Sequence, residues 1–218
     1  MSNNPMHDIG WQLERIAEMV DVPPRRREDP FRVLITTILS HRTRDENTEK
    51  AAQLLFDAYP SPSALKDAPV DSIERLIRAT GFYSVKAERV KEVARIVDEE
   101  LGGVVPDTRE GLEALPGVGP KTANCVLVYA FEKEALPVDT HVHRIANRIG
   151  WVSTSSAEST ERELAAVVPR RYWGMLNETL VSFGKQICRP IRPLCAQCAI
   201  SSSCVYYNEL VSQIKEKH

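Results

Sequence analysis

Four cysteines near the C-terminal end, Cys188, Cys195, Cys198 and Cys204, are spaced C-x6-C-x2-C-x5-C. So dense a group has no use in a core, and disulfides do not persist in a reducing compartment. A tetrathiolate site fits better, because zinc and iron–sulfur clusters both gather deprotonated cysteines around one centre. Zinc ribbons usually carry two well-separated C-x2-C pairs. Here one such pair is flanked by single cysteines, and the residues alone leave both metals open. Cys125 stands apart in TANCVLVYAF and reads as a small core residue.

The second group with chemical potential lies in LPGVGPKTA, residues 115–123. Gly117 and Gly119 sit in a turn bounded by Pro116 and Pro120, and Pro120 suits the first position of a helix. Backbone N–H groups of Gly117, Val118 and Gly119 lie beside the positive end of that helix, where a phosphate binds without help from net charge. Lys121 follows in the first helical turn. Asp139, in PVDTHVHRIANRIG, precedes a further amphipathic helix. Asp139 has the position of an N-cap, and Lys121 that of an exposed lysine reaching a phosphate.

The elements that must position these residues read as helices throughout, with no period-2 strand, so the fold class is all-α. Apolar residues Ile9, Leu13, Ile16 and Val20 predict an amphipathic helix over 6–20. VPPRRREDP is a charged, proline-rich connector and a candidate domain boundary. Asp29-Pro30 opens FRVLITTILS, apolar nearly all round and so central. Helices are predicted over 45–58, after Ser61-Pro62, and over 71–79 with Gly81 as the stop. Ser84 is a candidate cap for the next, which runs to Gly102-Gly103. A short helix over 108–114, with Asp107 and Glu110 at capping-box spacing, leads into the glycine turn. The helix after the turn runs through Phe131. Others follow at 140–150, 157–168 and 172–186, and the last residues form a terminal one.

Net charge is −2, which gives no global support to nucleic-acid binding. Its distribution says more: Arg170, Arg171, Lys185, Arg189 and Arg192 face only Glu178 within 164–192. That pattern is a basic binding face or an ordinary solvated surface. Hydrophobic residues make up 43% and charged residues 27%, as in a soluble globular protein with a real core. No apolar run reaches the ~20 residues of a membrane span. The N-terminus lacks the basic start and apolar core of a secretory signal, so a cytoplasmic protein is expected.

LPGVG followed by Lys121, the VDTH motif holding Asp139, GFYSVKA and the four-cysteine spacing together resemble the helix-hairpin-helix DNA repair glycosylases, most closely the endonuclease III family. The likeness covers nearly the whole chain. It implies a two-lobed fold: a six-helix barrel domain over 25–135, and a second domain of 1–24 with 136–218 bearing a [4Fe-4S] cluster on Cys188, Cys195, Cys198 and Cys204. The catalytic cleft would lie between the lobes. It also implies a monomer acting on duplex DNA with damaged or abasic sites. The activity implied is that of a bifunctional glycosylase/AP lyase for oxidised pyrimidines, with Lys121 as amine nucleophile and Asp139 as its partner carboxylate. Mismatch glycosylases on this scaffold usually lack both the hairpin lysine and the histidine of VDTH. A non-catalytic DNA-binding module would leave Lys121, Asp139 and the cysteines together unexplained.

The resemblance marks further DNA contacts. Arg42, in Ser40-His41-Arg42-Thr43, stands where the family has a glutamine plug, and Phe82 stands where it has a leucine wedge. Arg42 either fills the gap left by an extruded base or grips phosphate; Phe82 either wedges between bases or closes a helix junction as a core aromatic. The change at Arg42 leaves opposite-base preference open. His141, the histidine of VDTH, and Arg144 beyond it are candidates beside the cleft, and Arg189 and Arg192 would sit on a loop anchored by the cluster. His141 and His143 at i and i+2 point apart on a helix and do not suit a shared metal ion.

Overall fold

The computed structural model of the protein describes residues 8–22 and 27–215. Among these, every regular element is helical and none is a strand. The chain divides into two compact units, Arg26–Ala135 and the joined segments Met1–Arg25 and Leu136–His218.

In the first unit, α2 (Pro30–Ser40) is central. Asp29 caps it by accepting from Arg32 N at 2.8 Å, and Pro30 fills a position that needs no donor. Its Leu34, Ile35, Ile38 and Leu39 are wholly buried. It packs against α3 (Asp45–Ala58) and α8 (Pro120–Tyr129), while α4 (Pro62–Asp67) and α5 (Val70–Leu76) pack on α6 (Tyr83–Arg95). The shared core includes Leu55, Leu65, Ile73, Val90, Val93 and Val126. Each large side chain so buried contributes about 1.5–3 kcal/mol. Short α7 (Arg109–Glu113) precedes the glycine turn.

In the second unit, α9 (Thr140–Ile149) packs on α10 (Ala157–Val167) and α11 (Trp173–Gln186), and α1 (Ile9–Ala17) returns to α11. Leu13, Ile16, Val142, Ile145, Leu176, Leu180 and Phe183 form the core. Polar ties reinforce the return of α1. Gln12 Nε2 donates to Ser203 Oγ at 2.9 Å and Tyr172 OH to Glu14 Oε1 at 2.6 Å. At Gly10 a Cβ would stand 2.6 Å from the Tyr172 ring, so the close approach requires glycine. The chain ends in α12 (Val205–Lys215).

Several boundaries differ from the sequence expectations, each for a local reason. The predicted helix 6–20 is seen as Ile9–Ala17, its first residues lying outside the described part, as do residues 23–26 of the connector and 216–218 of the terminal helix. Helix α5 stops at Leu76, before Gly81, and the chain beyond it tightens into a turn in which Thr80 N and Oγ1 both donate to Ile77 O at 2.8 Å. Ser84 does not cap α6: Phe82 O already accepts from Lys86 N, so the helix starts a residue earlier. Asp107 does not cap α7 either. Thr108 does, accepting from Gly111 N at 3.2 Å, while Asp107 pairs with Lys133 at 2.6 Å. Beyond Arg95 the helix widens into a π turn, Ile96–Glu100, before Gly102 and Gly103 take positive φ. Among the described residues no helix is long and apolar enough to cross a membrane.

Gly150 ends α9 with φ 94°, and a Cβ there would stand 2.4 Å from Val205 Cγ2. Gly150→Ala should therefore cost about 2 kcal/mol from left-handed strain and overpacking, lowering Tm by roughly 4–8 °C in a thermal melt. An unchanged Tm would mean that neither the left-handed backbone nor the contact with Val205 opposes a Cβ at this position.

Candidate active site

The hairpin is a backbone device. Leu115 O accepts from Val118 N at 3.1 Å, closing the turn. Gly117 has φ 74°, and a Cβ there would collide with the Arg89 side chain at 2.2 Å. Val118 is only 7% exposed and anchors the turn in the core, and its N–H is already given to Leu115 O, so neither its side chain nor its amide proton is offered to a ligand as the sequence suggests. Gly119, extended at φ −103°, is the N-cap of α8 and has open space where a Cβ would be. Lys121 follows Pro120 in the first turn and is half-buried.

A second element reaches the start of α8. His41, on the loop after α2, lies with Nε2 2.9 Å from Oγ1 of the buried Thr122. Burial first, then the charges of Lys121, Lys86 and Arg89, lowers the imidazole from 6.5 to about 4. This cationic surround belongs to one unit of the chain.

Arg42 and Phe82 occupy neighbouring loop tips. Both adopt left-handed backbone, φ 52° and φ 57°, which is rare for such residues. The Arg42 guanidinium lies 5.6 Å from the Phe82 ring centroid, within cation–π range. Phe82 is 63% exposed, which removes the core-aromatic alternative. Behind them, buried Lys86 donates to Leu39 O and His41 O at 2.7 Å and to Thr43 Oγ1 at 2.8 Å. Burial, then Arg89, lowers this amine to about 8. Neither His41 nor Lys86 had been assigned a role from the sequence. Lys86 does leave a signal, since it shares a helix face with Val90, Val93 and Val97, where a charged residue needs a partner.

In the other unit, Asp139 caps α9. Its Oδ1 accepts from His141 N at 2.9 Å and Val142 N at 2.8 Å, which fixes the carboxylate. Asn177 Nδ2 holds the approach to it by donating to Pro137 O at 2.9 Å. His141 lies against Gly184 and Arg144, whereas His143 meets Thr160 Oγ1 at 2.7 Å, so the two rings have separate surroundings. Arg144 donates to Cys188 O at 3.0 Å and Gly184 O at 3.5 Å, turning the guanidinium toward its own chain.

All four C-terminal cysteines line one cavity, with Arg148, Phe183, Ile187, Ile200 and Tyr206 among its walls. Two short 3-10 turns, Cys195–Gln197 and Ser201–Ser203, space the thiols. Arg148 braces the loop, donating to Arg189 O at 2.7 Å and Pro190 O at 2.9 Å, with one N–H toward Cys188 Sγ at 3.7 Å. Arg189 and Arg192 are exposed on that loop, Arg192 at φ 52°. Burial, above all, raises the Cys198 thiol to about 11 and raises Cys195 and Cys204 as well. Among the described residues no three acidic, histidine or cysteine side chains converge tightly enough for a single ion. A cavity lined by four cysteines suits a metal group whose positive charge favours thiolates.

The lowered His41 value carries a sign. A base whose folded pKa lies below its unfolded one stabilises the fold above pH 6.5 and loses that contribution as pH falls toward about 4. An NMR titration should find the His41 ring neutral down to about pH 4, and His41→Gln should make the acid limb of the stability curve shallower. A ring titrating near its ordinary value would contradict the geometry.

Comparison with known proteins adds an independent line. The model of the HhH-GPD superfamily of base excision DNA repair proteins matches residues 35–170. Endonuclease III of Thermotoga maritima is 50% identical over 198 residues, covering 89% of this chain and 93% of that protein. A solved structure of a trapped endonuclease III–DNA covalent intermediate matches with a TM-score of 0.86 at 30% identity, over 93% of this chain and 97% of that one. A thermostable thymine-DNA glycosylase matches with a TM-score of 0.78 at 31% identity, over 90% of this chain and 95% of that one. Sequence and fold thus agree across most of the length, and the chain belongs to the HhH-GPD superfamily of base excision DNA repair proteins, within the endonuclease III family.

Proposed function

We propose that the protein is a bifunctional DNA glycosylase and AP lyase that removes oxidised pyrimidines from duplex DNA and cleaves 3′ to the abasic site by β-elimination. The observation that carries this reading is Lys121, a primary amine in the first turn of α8 directly behind the glycine hairpin. It stands in a chain 50% identical to an endonuclease III.

The roles follow from chemistry. Hairpin N–H groups and the N-terminus of α8 hold a DNA phosphate. The lysine amine attacks C1′ of the extruded nucleotide, and the damaged base leaves with a proton. Sugar-ring opening gives an imine between Nζ and C1′. That imine acidifies the C2′ proton, and its loss expels the 3′ phosphate; hydrolysis then frees the lysine. Asp139, immobilised by two backbone N–H groups, transfers a proton or stabilises positive charge on the sugar as the base departs. Arg42 and Phe82 enter the duplex as the nucleotide leaves it. The same reading makes Cys188, Cys195, Cys198 and Cys204 ligands of a [4Fe-4S] cluster. The cluster, when bound, acts as a covalent cross-link that fixes the loop of Arg189 and Arg192 for phosphate contact.

A second reading, excision of thymine or uracil opposite guanine, draws on the likeness to the thymine-DNA glycosylase. It requires no Schiff base. Borohydride trapping on a duplex with one abasic site separates the two: wild type should form a covalent protein–DNA adduct, and Lys121→Ala should form none. Wild type that releases base but never traps would leave the mismatch reading; neither activity would leave a DNA-binding module. For the cluster, protein purified without oxygen should be brown and hold about four irons per chain, with Cys198→Ser losing the colour. A colourless protein with stoichiometric zinc would overturn the assignment.

A further inference from the structure

Lys86 is a buried cation that the proposed chemistry does not use. It is 4% exposed, and its ammonium donates to Leu39 O, His41 O and Thr43 Oγ1, one acceptor for each of its three protons. A buried charge is costly unless fully hydrogen-bonded, so these acceptors hold the lysine as firmly as it holds them. All three lie on the end of α2 and the loop that follows it, whereas Lys86 itself belongs to α6.

The clamp also reaches the second loop. Thr43 Oγ1 accepts from Lys86 and from Gly81 N at 3.1 Å, joining the two loops at one oxygen. A Cβ at Gly81 would stand 3.0 Å from Arg42 O, so the two backbones touch. Each loop then turns through a left-handed residue, Arg42 in one and Phe82 in the other. Such conformations persist only where the surroundings over-determine them. The surroundings here are the Lys86–Thr43–Gly81 bonds and the helical bond from Lys86 N to Phe82 O at 3.1 Å.

We propose that Lys86 is a positioning residue for base displacement: its ammonium locks both loops so that Arg42 and exposed Phe82 meet the duplex together, as one preformed wedge. The inference rests on the glycosylase/lyase reading above, and concerns the step before chemistry. A rigid wedge need not be ordered during insertion, which spares entropy at that step. Chemistry at a sugar already free of the duplex does not need the wedge.

The test uses the full chain with Lys86→Met, Lys86→Arg and Thr43→Val. Base unstacking is followed by stopped-flow fluorescence of 2-aminopurine beside an oxidised pyrimidine in duplex DNA. Borohydride trapping on a single-stranded abasic oligonucleotide reports Lys121 chemistry without displacement. Lys86→Met should slow unstacking by about tenfold or more. Single-stranded trapping should fall by less than about twofold. Lys86→Arg should recover most of the rate, and Thr43→Val, which removes the shared oxygen but no charge, should show the same split. Unstacking at the wild-type rate in Lys86→Met would overturn the inference, as would equal losses in both assays; if Lys86→Met does not fold, Thr43→Val decides alone. Wild type that traps on neither substrate would instead sink the glycosylase/lyase reading.

Discussion

Helix ends impose the constraint on which the rest of this structure depends. Many short helices mean many terminal carbonyls without an intrahelical partner, and a buried carbonyl must find a donor. Long cationic and amide side chains supply several of them. Lys86 serves the end of α2, Lys91 donates to Ala68 O after α4, and Arg27 to Ala130 O after α8. Arg144 and Arg148 do the same for the end of α11 and the loop beyond it. The choice of cations has a reason, since the C-terminal ends of helices carry partial negative charge. Each such bond ties a loop to a different helix, so satisfying the backbone also fixes tertiary geometry.

The opposite ends carry the residues to which the proposed chemistry is assigned. The hairpin and Lys121 open α8, and Asp139 opens α9. A helix N-terminus presents donors and a positive potential, which suits a phosphate at the hairpin and a fixed carboxylate at Asp139. In the Arg26–Ala135 unit this potential is joined by Lys86 and Arg89, and burial first, then these charges, holds the His41 imidazole below its ordinary pKa. Cationic character is therefore concentrated locally in a chain whose net charge is −2. Composition averaged over the whole chain hides that concentration, which is why it misleads about nucleic-acid contact.

Strain is distributed in the same selective way. Among the described residues, Arg42, Phe82, Glu132 and Arg192 are the non-glycine positions with positive φ. Three of these lie on loops assigned to DNA contact, and each is braced from behind: the first two by Lys86 and Thr43, the loop of Arg192 by Arg148. A rigid scaffold that holds exposed residues in unfavourable backbone is the expected arrangement where a protein must push against a ligand instead of yielding to it.

The sequence by itself determined the local facts: the all-helical class from apolar periodicity, the glycine turn and the lysine behind it, the capping role of Asp139, the proline start of α2 and the grouping of the cysteines. Each depends on residues close together in the chain, where spacing and residue type suffice. Tertiary structure decided what depends on distant partners. Asp107 had capping-box spacing yet was taken by Lys133, and Thr108 capped instead. Spacing leaves Phe82 open to a core role, which its exposure excludes. Val118 sat in a motif of bare backbone, but its side chain proved to be core. Lys86 reads as one charge in an amphipathic helix, and only the fold brings its acceptors, at the end of α2 and on the loop after it, within reach. A hydrogen bond formed across such a separation leaves no spacing to read, because only the packing of α2 against α6 brings its two ends together.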